Sequence, residues 1–471
     1  KATSCGGCDG AKTDDAEEVC AMSAADEGQH LPYDAAALDA FWMPGRDSGI
    51  YRLGPATPPW TKSPCGTVAS CTITNSPRIT RLWNRGWDEL LRDRWFTSPV
   101  ETAVGPAVVE NLAVRDSHLS VNGKWLTTGP AGARLLGAVG QAAKRARGKP
   151  AAVEELNAFF SEASKNTQDL PLWDADISGL DFVIEARNLK NYFHFVRETF
   201  AILSLIDELK NFTGRIVIVA KDRDVPAFVQ AHIAAIFPEL EDRIVVEQAP
   251  ARFKRALIAH YSDTSYVHDR GNWIDGLIPA HQDLSDGQVG TNLARIIYLN
   301  SFQRSLRTLR EAAFKRIEGM SFDYLPKRFW VSRRAGQGND RTIENEGQIL
   351  RQLAPLGFRQ ILFEDLSPLE QVGIMRDADM MVSYHGAGFT NMLYAGSQAR
   401  IIELGTLQTA RQRLDDFAAF VHVSRADYTV AVADFPEEFG TSIPPMRGHG
   451  IYSVRMSEAA IANLVGLIQS F

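Results

Sequence analysis

The sequence predicts an α/β protein of two Rossmann-like lobes with a cleft between them, preceded by an irregular N-terminal region. Three observations carry that expectation. From about residue 180 onward, short apolar strands alternate with amphipathic helices, the pattern of a parallel sheet covered on both faces. The alternation runs twice, on either side of a charged helix, "SFQRSLRTLREAAFKRIEG". In the second run, glycine- and arginine-rich loops follow the strands, where open α/β sheets bind ligands.

Residues 1–75 are rich in Gly, Pro, Thr and Asp and read as a loop-rich, cysteine-containing leader. Residues 76–170 mix helices such as "GARLLGAVGQAAKRARG" with a hairpin, "HLSVNGKWLTT", built on an Asn-Gly turn. The first lobe, 171–320, holds strands "DFVIEA", "GRIVIVA" and "DRIVVEQ" and helices "YFHFVRETFAILSLIDELK" and "PAFVQAHIAAIF". The second lobe, 321–455, holds strands "RFWVSR", "FRQILFE", "MMVSYH" and "ARIIEL". Its helices are "NEGQILRQLAPLG", ending at Gly357, "SPLEQVGIMRDA", with Ser367 as N-cap and Pro368 next, and the short "GFTNMLYAG". Residues 456–471 form a last amphipathic helix.

At 471 residues and 45% hydrophobic, the chain has material for two or three cores. A net charge of −7 gives no global field for nucleic acid or an anionic membrane, so any basic site is local. No apolar run spans a bilayer. No signal peptide is legible, which reads as cytoplasmic or membrane-peripheral, although the chain begins at Lys1 and not Met. The alternative is the lumen of the secretory pathway, with an N-terminal anchor removed. All five cysteines, Cys5, Cys8, Cys20, Cys65 and Cys71, lie near the start. Cys5-Gly-Gly-Cys8 has the spacing of half a zinc knuckle, and Cys65–Cys71 is one possible disulfide; neither fits better than an irregular leader with no metal. Oligomeric state is not legible.

Three signals converge after strands of the second lobe. "VSRRAGQGNDR" places Ser332, Arg333, Arg334 and Arg341 in one glycine-rich loop. "SYHGAGFTN" places His385, Gly386, Ala387, Gly388 and Asn391 at a strand-to-helix turn, and Glu403 lies at the end of the next strand. Guanidinium groups bind diphosphate bidentately, glycines admit backbone N–H groups, and a helix N-terminus adds partial positive charge. A carboxylate at a strand end suits a ribose diol.

"NYFHFVRETFAIL", "FWVSRR", "IENEGQIL" and "MMVSYHGAGFTNMLYAGSQARIIEL" together resemble glycosyltransferase family 61. Its relatives include plant xylosyl- and arabinosyltransferases and the EGF-domain and protein O-mannose N-acetylglucosaminyltransferases. The resemblance covers roughly residues 180–410 and implies a GT-B-like fold, an inverting mechanism, a nucleotide-sugar donor, chiefly a UDP-sugar, and no cofactor or required metal. In keeping with the last, no Asp-x-Asp follows a strand of the second lobe; Asp222-Arg-Asp224 belongs to the first. A bacterial member would act in cell-surface polysaccharide or capsule biosynthesis, on a glycan or glycoconjugate acceptor. By the same resemblance, His385 and Gly386-Ala387-Gly388 face the donor pyrophosphate; Arg333 and Arg334, with Arg341, suit its clamp and Glu403 the ribose, while a strand-end His385 bonded to backbone and a helix-capping Glu403 fit the same positions.

An inverting transferase also needs a general base for the acceptor hydroxyl. "LKNYFHFVRETF" offers His194 and Glu198 at i and i+4 on one helix face, with Asn191 and Tyr192 to shape the acceptor pocket. Simple pairing on the helix surface accounts for the same spacing. Two other classes fit parts of the pattern. "GAGFTN" followed by Glu403 imitates the fingerprint of an NAD(P)-binding oxidoreductase, although Asn391 stands where the third glycine belongs. An inactive relative would bind sugar or nucleotide without turnover.

Overall fold

The computed structural model describes residues 40–55, 58, 60–92, 99–132, 134, 135, 138, 170–261, 301–334, 342–414, 416–435 and 454–471. Cys5, Cys8, Cys20 and Arg341 lie outside them, as does most of the expected helix beginning at Gly132.

An eight-stranded mixed sheet takes its core from the expected first lobe. In spatial order it runs Ile244–Gln248, Ile216–Ala220, Asp181–Ala186, Ala251–Tyr261, Val104–Arg115, His118–Val121, Lys124–Trp125, with Ile50–Arg52 also on Val104–Arg115. The first four are parallel; crossover helices join the first three, and Ala251–Tyr261 follows Ile244–Gln248 after two residues. The helices run from Tyr192 to Leu203, with a wide π-turn at Phe195–Phe200, and from Ala227 to Ile236. The rest pair antiparallel. Asn122 and Gly123 both take positive φ, 51° and 79°, so the expected Asn-Gly hairpin forms.

The second sheet has six strands, all parallel: Arg359–Ile361, Arg328–Val331, Met380–Tyr384, Arg400–Gly405, Asp427–Val432 and Thr67–Thr72. Every strand and helix expected in the second lobe is present. Gly357 ends its helix at φ 84°, and Ser367 opens the next with a full capping box. The chain leaves Arg328–Val331 toward one edge and returns to its other side as Met380–Tyr384. Strand order therefore reverses between those two strands, the point where such sheets open a crevice.

The expected leader and N-terminal region are woven into both sheets. Thr67–Thr72 closes the parallel sheet, and Val104–Arg115 is the longest strand of the mixed one. Cys65 and Cys71 are free. The strand between them rises about 3.3 Å per residue, so their Cα atoms lie well beyond the ~7 Å a disulfide tolerates. That corrects the pairing considered for them.

One apolar cluster joins the facing sides of the two sheets. It takes Phe182, Ile184 and Leu257 from one and Phe329, Met381 and Ile401 from the other, with helix residues such as Phe195, Leu306 and Phe389 between them. The opposite face of the parallel sheet packs Trp330, Val382 and Ile402 under the C-terminal helix Glu458–Gln469. Among the described residues no helix is long and apolar enough to cross a membrane.

Candidate functional site

The reversal point brings Arg333 and His385 together. Arg333 follows its strand by two residues and so shares a face with Val331, the side of the inter-sheet cluster. Its Nη2 donates to the carbonyl of His385 at 3.2 Å. The guanidinium lies across Gly386: a Cβ there would sit 2.6 Å from Arg333 Cζ and 3.0 Å from Nε. Gly386 is extended, at φ 170°, so the glycine serves close approach, not backbone conformation. Burial pulls the Arg333 guanidinium below its ordinary value, with only weak opposition from Tyr384 and Glu364. Among the described residues it forms no ion pair. A half-buried cation with unused donors is a site for an anion.

The helix Ala387–Tyr394 starts beside it, so Ala387 and Gly388 lie at a helix N-terminus, as expected. Ser332 is buried; its hydroxyl donates to Glu346 at 2.9 Å and accepts from Gln360 at 2.8 Å. It props the loop. Arg334 is exposed and pairs with Asp365.

His385 is 2% exposed, and its Nδ1 lies 2.7 Å from Glu403 Oε1. Glu403 is 3% exposed and accepts from the Tyr428 hydroxyl at its other oxygen. Both oxygens of Glu403, the carboxylate expected at the ribose, are engaged beneath the imidazole. Asn391, expected at the donor, also has partners within the protein. It is fully buried, accepts from the Tyr192 hydroxyl at 2.7 Å and donates to Gln371 at 3.3 Å, so it ties the two halves together. Tyr192 and Asn191, expected at the acceptor, have partners within the protein as well. The Tyr192 hydroxyl is spent on Asn391 and lies 3.3 Å from His232, while the Asn191 side chain caps its helix through the Phe193 N–H.

On the helix that starts at Tyr192, a second histidine pairs with a carboxylate. His194 Nδ1 lies 2.8 Å from Glu198 Oε1. Glu198 Oε2 accepts from Arg134 Nη1 at 2.7 Å, and Arg134 Nη2 reaches Glu185 at 2.7 Å. Burial pushes Glu198 up, but the Arg134 charge and the His194 bond outweigh it and hold the carboxyl at about 2. Glu185 goes the other way, to about 7, through burial and the neighbouring Glu198 charge, against Arg134. Glu185 Oε1 has no hydrogen-bond partner among the described residues. His118 nearby is pushed down to about 4 by burial, Arg134 and Arg187. Arg134 and Glu185 escape sequence reading, since nothing local links position 134 to 198.

Aromatic rings connect the two histidines. His194 meets Phe193 at 5.2 Å, Phe193 meets Phe417 at 5.9 Å, and Phe417 meets His385 at 5.4 Å. Phe417 also escapes sequence reading. Asp222 and Asp224 pair with Lys190 at 3.4 and 3.1 Å, and no carboxylate–histidine–cysteine group suited to a metal occurs among the described residues.

Residues 192–402 match the family model described as Glycosyltransferase 61. A search of curated proteins finds no match. The matched segment runs from the helix that carries His194 through both strand ends that carry Arg333 and His385. Residues 192–402 are thus similar to glycosyltransferase family 61, and a domain of that family supports a glycosyltransferase enzyme.

Proposed function

We propose that the chain is an inverting, metal-independent transferase that moves a sugar from a UDP-sugar to a hydroxyl of a glycan acceptor, a cell-surface polysaccharide or its precursor. In this reading the two sheets are the lobes of a GT-B-like arrangement, the parallel sheet taking the donor. The observation that carries it is Arg333, a half-buried guanidinium that forms no ion pair among the described residues, at the strand reversal beside a helix N-terminus and His385.

The acceptor hydroxyl attacks the anomeric carbon from the face opposite the diphosphate. The acceptor oxygen–carbon bond forms, the carbon–phosphate oxygen bond breaks, and the sugar inverts. A base takes the hydroxyl proton, and the electron pair leaves with the diphosphate. His194 suits the base. Glu198, held at about 2, stays a carboxylate through the working range and accepts the Nδ1 hydrogen, which leaves Nε2 to take the proton. Arg333, the N–H groups at Ala387 and Gly388, and His385 meet the charge that grows on the diphosphate. The carboxylate that a dinucleotide reading would place on ribose, Glu403, is occupied by His385 and Tyr428.

The test is thermal stabilisation by UDP, GDP and CMP, followed by single-turnover transfer or hydrolysis with UDP-sugars. UDP is expected to stabilise the protein most. His194→Ala should keep UDP affinity and cut turnover by about 10². Stabilisation by GDP or CMP alone overturns the donor, and wild-type turnover in His194→Ala moves the base elsewhere.

A further inference from the structure

Glu403 and Glu198 each hold a histidine by Nδ1, yet their second partners differ. Glu198 shares its charge with Arg134. Glu403 is backed by a phenol, and among the described residues His385 is the one basic side chain that pairs with it. His385, Glu403 and Tyr428 lie diagonally across three neighbouring strand paths on one face of the parallel sheet. Ser383 is level with Glu403, and Glu403 with Val430, so the three share side-chain parity. Their relative exposures are 2%, 3% and 1%. A fully buried carboxylate is a costly way to fill a core, and apolar side chains of like volume would pack there as well or better.

We propose that Tyr428 is a positioning residue for His385: its hydroxyl fixes Glu403, and Glu403 fixes the imidazole so that Nε2 alone is presented to the donor diphosphate. The inference rests on the reading of His385 as a donor-phosphate group. Tyr428 stays a hydrogen-bond donor at any working pH, because burial and Glu403 hold its phenol well above the ordinary range. Its one hydrogen goes to Oε2, so Oε1 is left for Nδ1–H. With Nδ1 protonated, Nε2 donates to a phosphate oxygen only as imidazolium, the form that Glu403 stabilises as the diphosphate gains charge. The His385 backbone is pinned as well: its N–H donates to Leu404 and its carbonyl accepts from Arg333. Phe417, 5.4 Å away, flanks the ring. Tyr428 lies beyond the segment that matches the family model.

The experiment joins ¹⁵N spectroscopy of the His385 imidazole to kinetics. In the wild type, Nδ1 is expected to carry a proton across the pH range; a bare Nδ1 overturns the inference without any variant. Tyr428→Phe preserves shape. It is expected to bind UDP within about threefold of wild type, lose about tenfold in single-turnover rate, and show altered imidazole signals and a shifted pH–rate profile. Glu403→Gln, which presents an amide to Nδ1 in either orientation, should lose more than tenfold further. A Tyr428→Phe protein with wild-type rate, pH profile and imidazole signals overturns the inference, since a purely structural hydroxyl would move only stability. If the wild type neither binds UDP nor turns over a UDP-sugar, the functional reading fails, and the imidazole signals still decide whether Tyr428 and Glu403 hold the ring.

Discussion

Gly386→Ala tests the anion site without touching a charge. The extended backbone at residue 386 accepts any side chain, so the fold has no local reason to fail. The new methyl would overlap Arg333, whose Cζ lies 2.6 Å and Nε 3.0 Å from the Cβ position. The obstacle is the end of a long side chain, which can swing away. In doing so it breaks the 3.2 Å bond to the His385 carbonyl, costing about 0.5–1.5 kcal/mol of stability. It also removes the guanidinium from the diphosphate. One charge-assisted bond is worth roughly 1.5–3 kcal/mol, so UDP affinity should fall by about one to two decades. Calorimetric titration with UDP, beside thermal unfolding, reads both quantities. The double variant with Arg333→Ala should bind little worse than either single one, because both remove the same group. Wild-type UDP affinity in Gly386→Ala would refute the reasoning, and so would additive losses in the double variant.

The buried carboxylates predict opposing pH limbs. Glu185 rises from 4.5 to about 7 in the fold, so its stabilising contribution is full below about 4.5 and is lost as pH climbs through 7. Glu185→Gln should flatten that limb in urea midpoints between about pH 5 and 8, and an unchanged slope would contradict it. Glu198 falls to about 2, so its contribution is present above 4.5 and fades as pH drops toward 2, a limb that should survive in Glu185→Gln. Tyr192→Phe strands the buried Asn391 oxygen and should cost about 1–3 kcal/mol by urea unfolding while sparing UDP affinity. A large loss of UDP affinity with intact stability would return Asn391 to the donor site. Transfer should persist in EDTA; loss restored by manganese or magnesium would place a metal in the reaction.

The second sheet was legible because its strands are short apolar runs closed by glycines and caps that act locally. Ser367 and Gly357 do what their residue types dictate. Thr67–Thr72 was not, since "TVASCT" has no apolar run and is held by pairing with a strand 360 positions away. "VGPAVVENLAVR" and "ARFKRALIAHY" were masked in the same way, by internal Gly and Pro and by charges. At the site, residue types and loop positions singled out Arg333 and His385, and helical spacing found the His194–Glu198 pair. What spacing cannot give is occupancy. Glu403, in a strand, and Asn391, in the helix Ala387–Tyr394, carry groups suited to a donor, yet Tyr428 and Tyr192, distant in sequence, bond to them.

The most direct test of the account is the affinity of Arg333→Ala for UDP, measured by calorimetry beside the wild type at one salt concentration. The account predicts a loss of about one to two decades, as expected for removal of a charge-assisted contact to the diphosphate. Equal affinity in the two proteins would mean that the strand reversal between Arg328–Val331 and Met380–Tyr384 does not hold the donor.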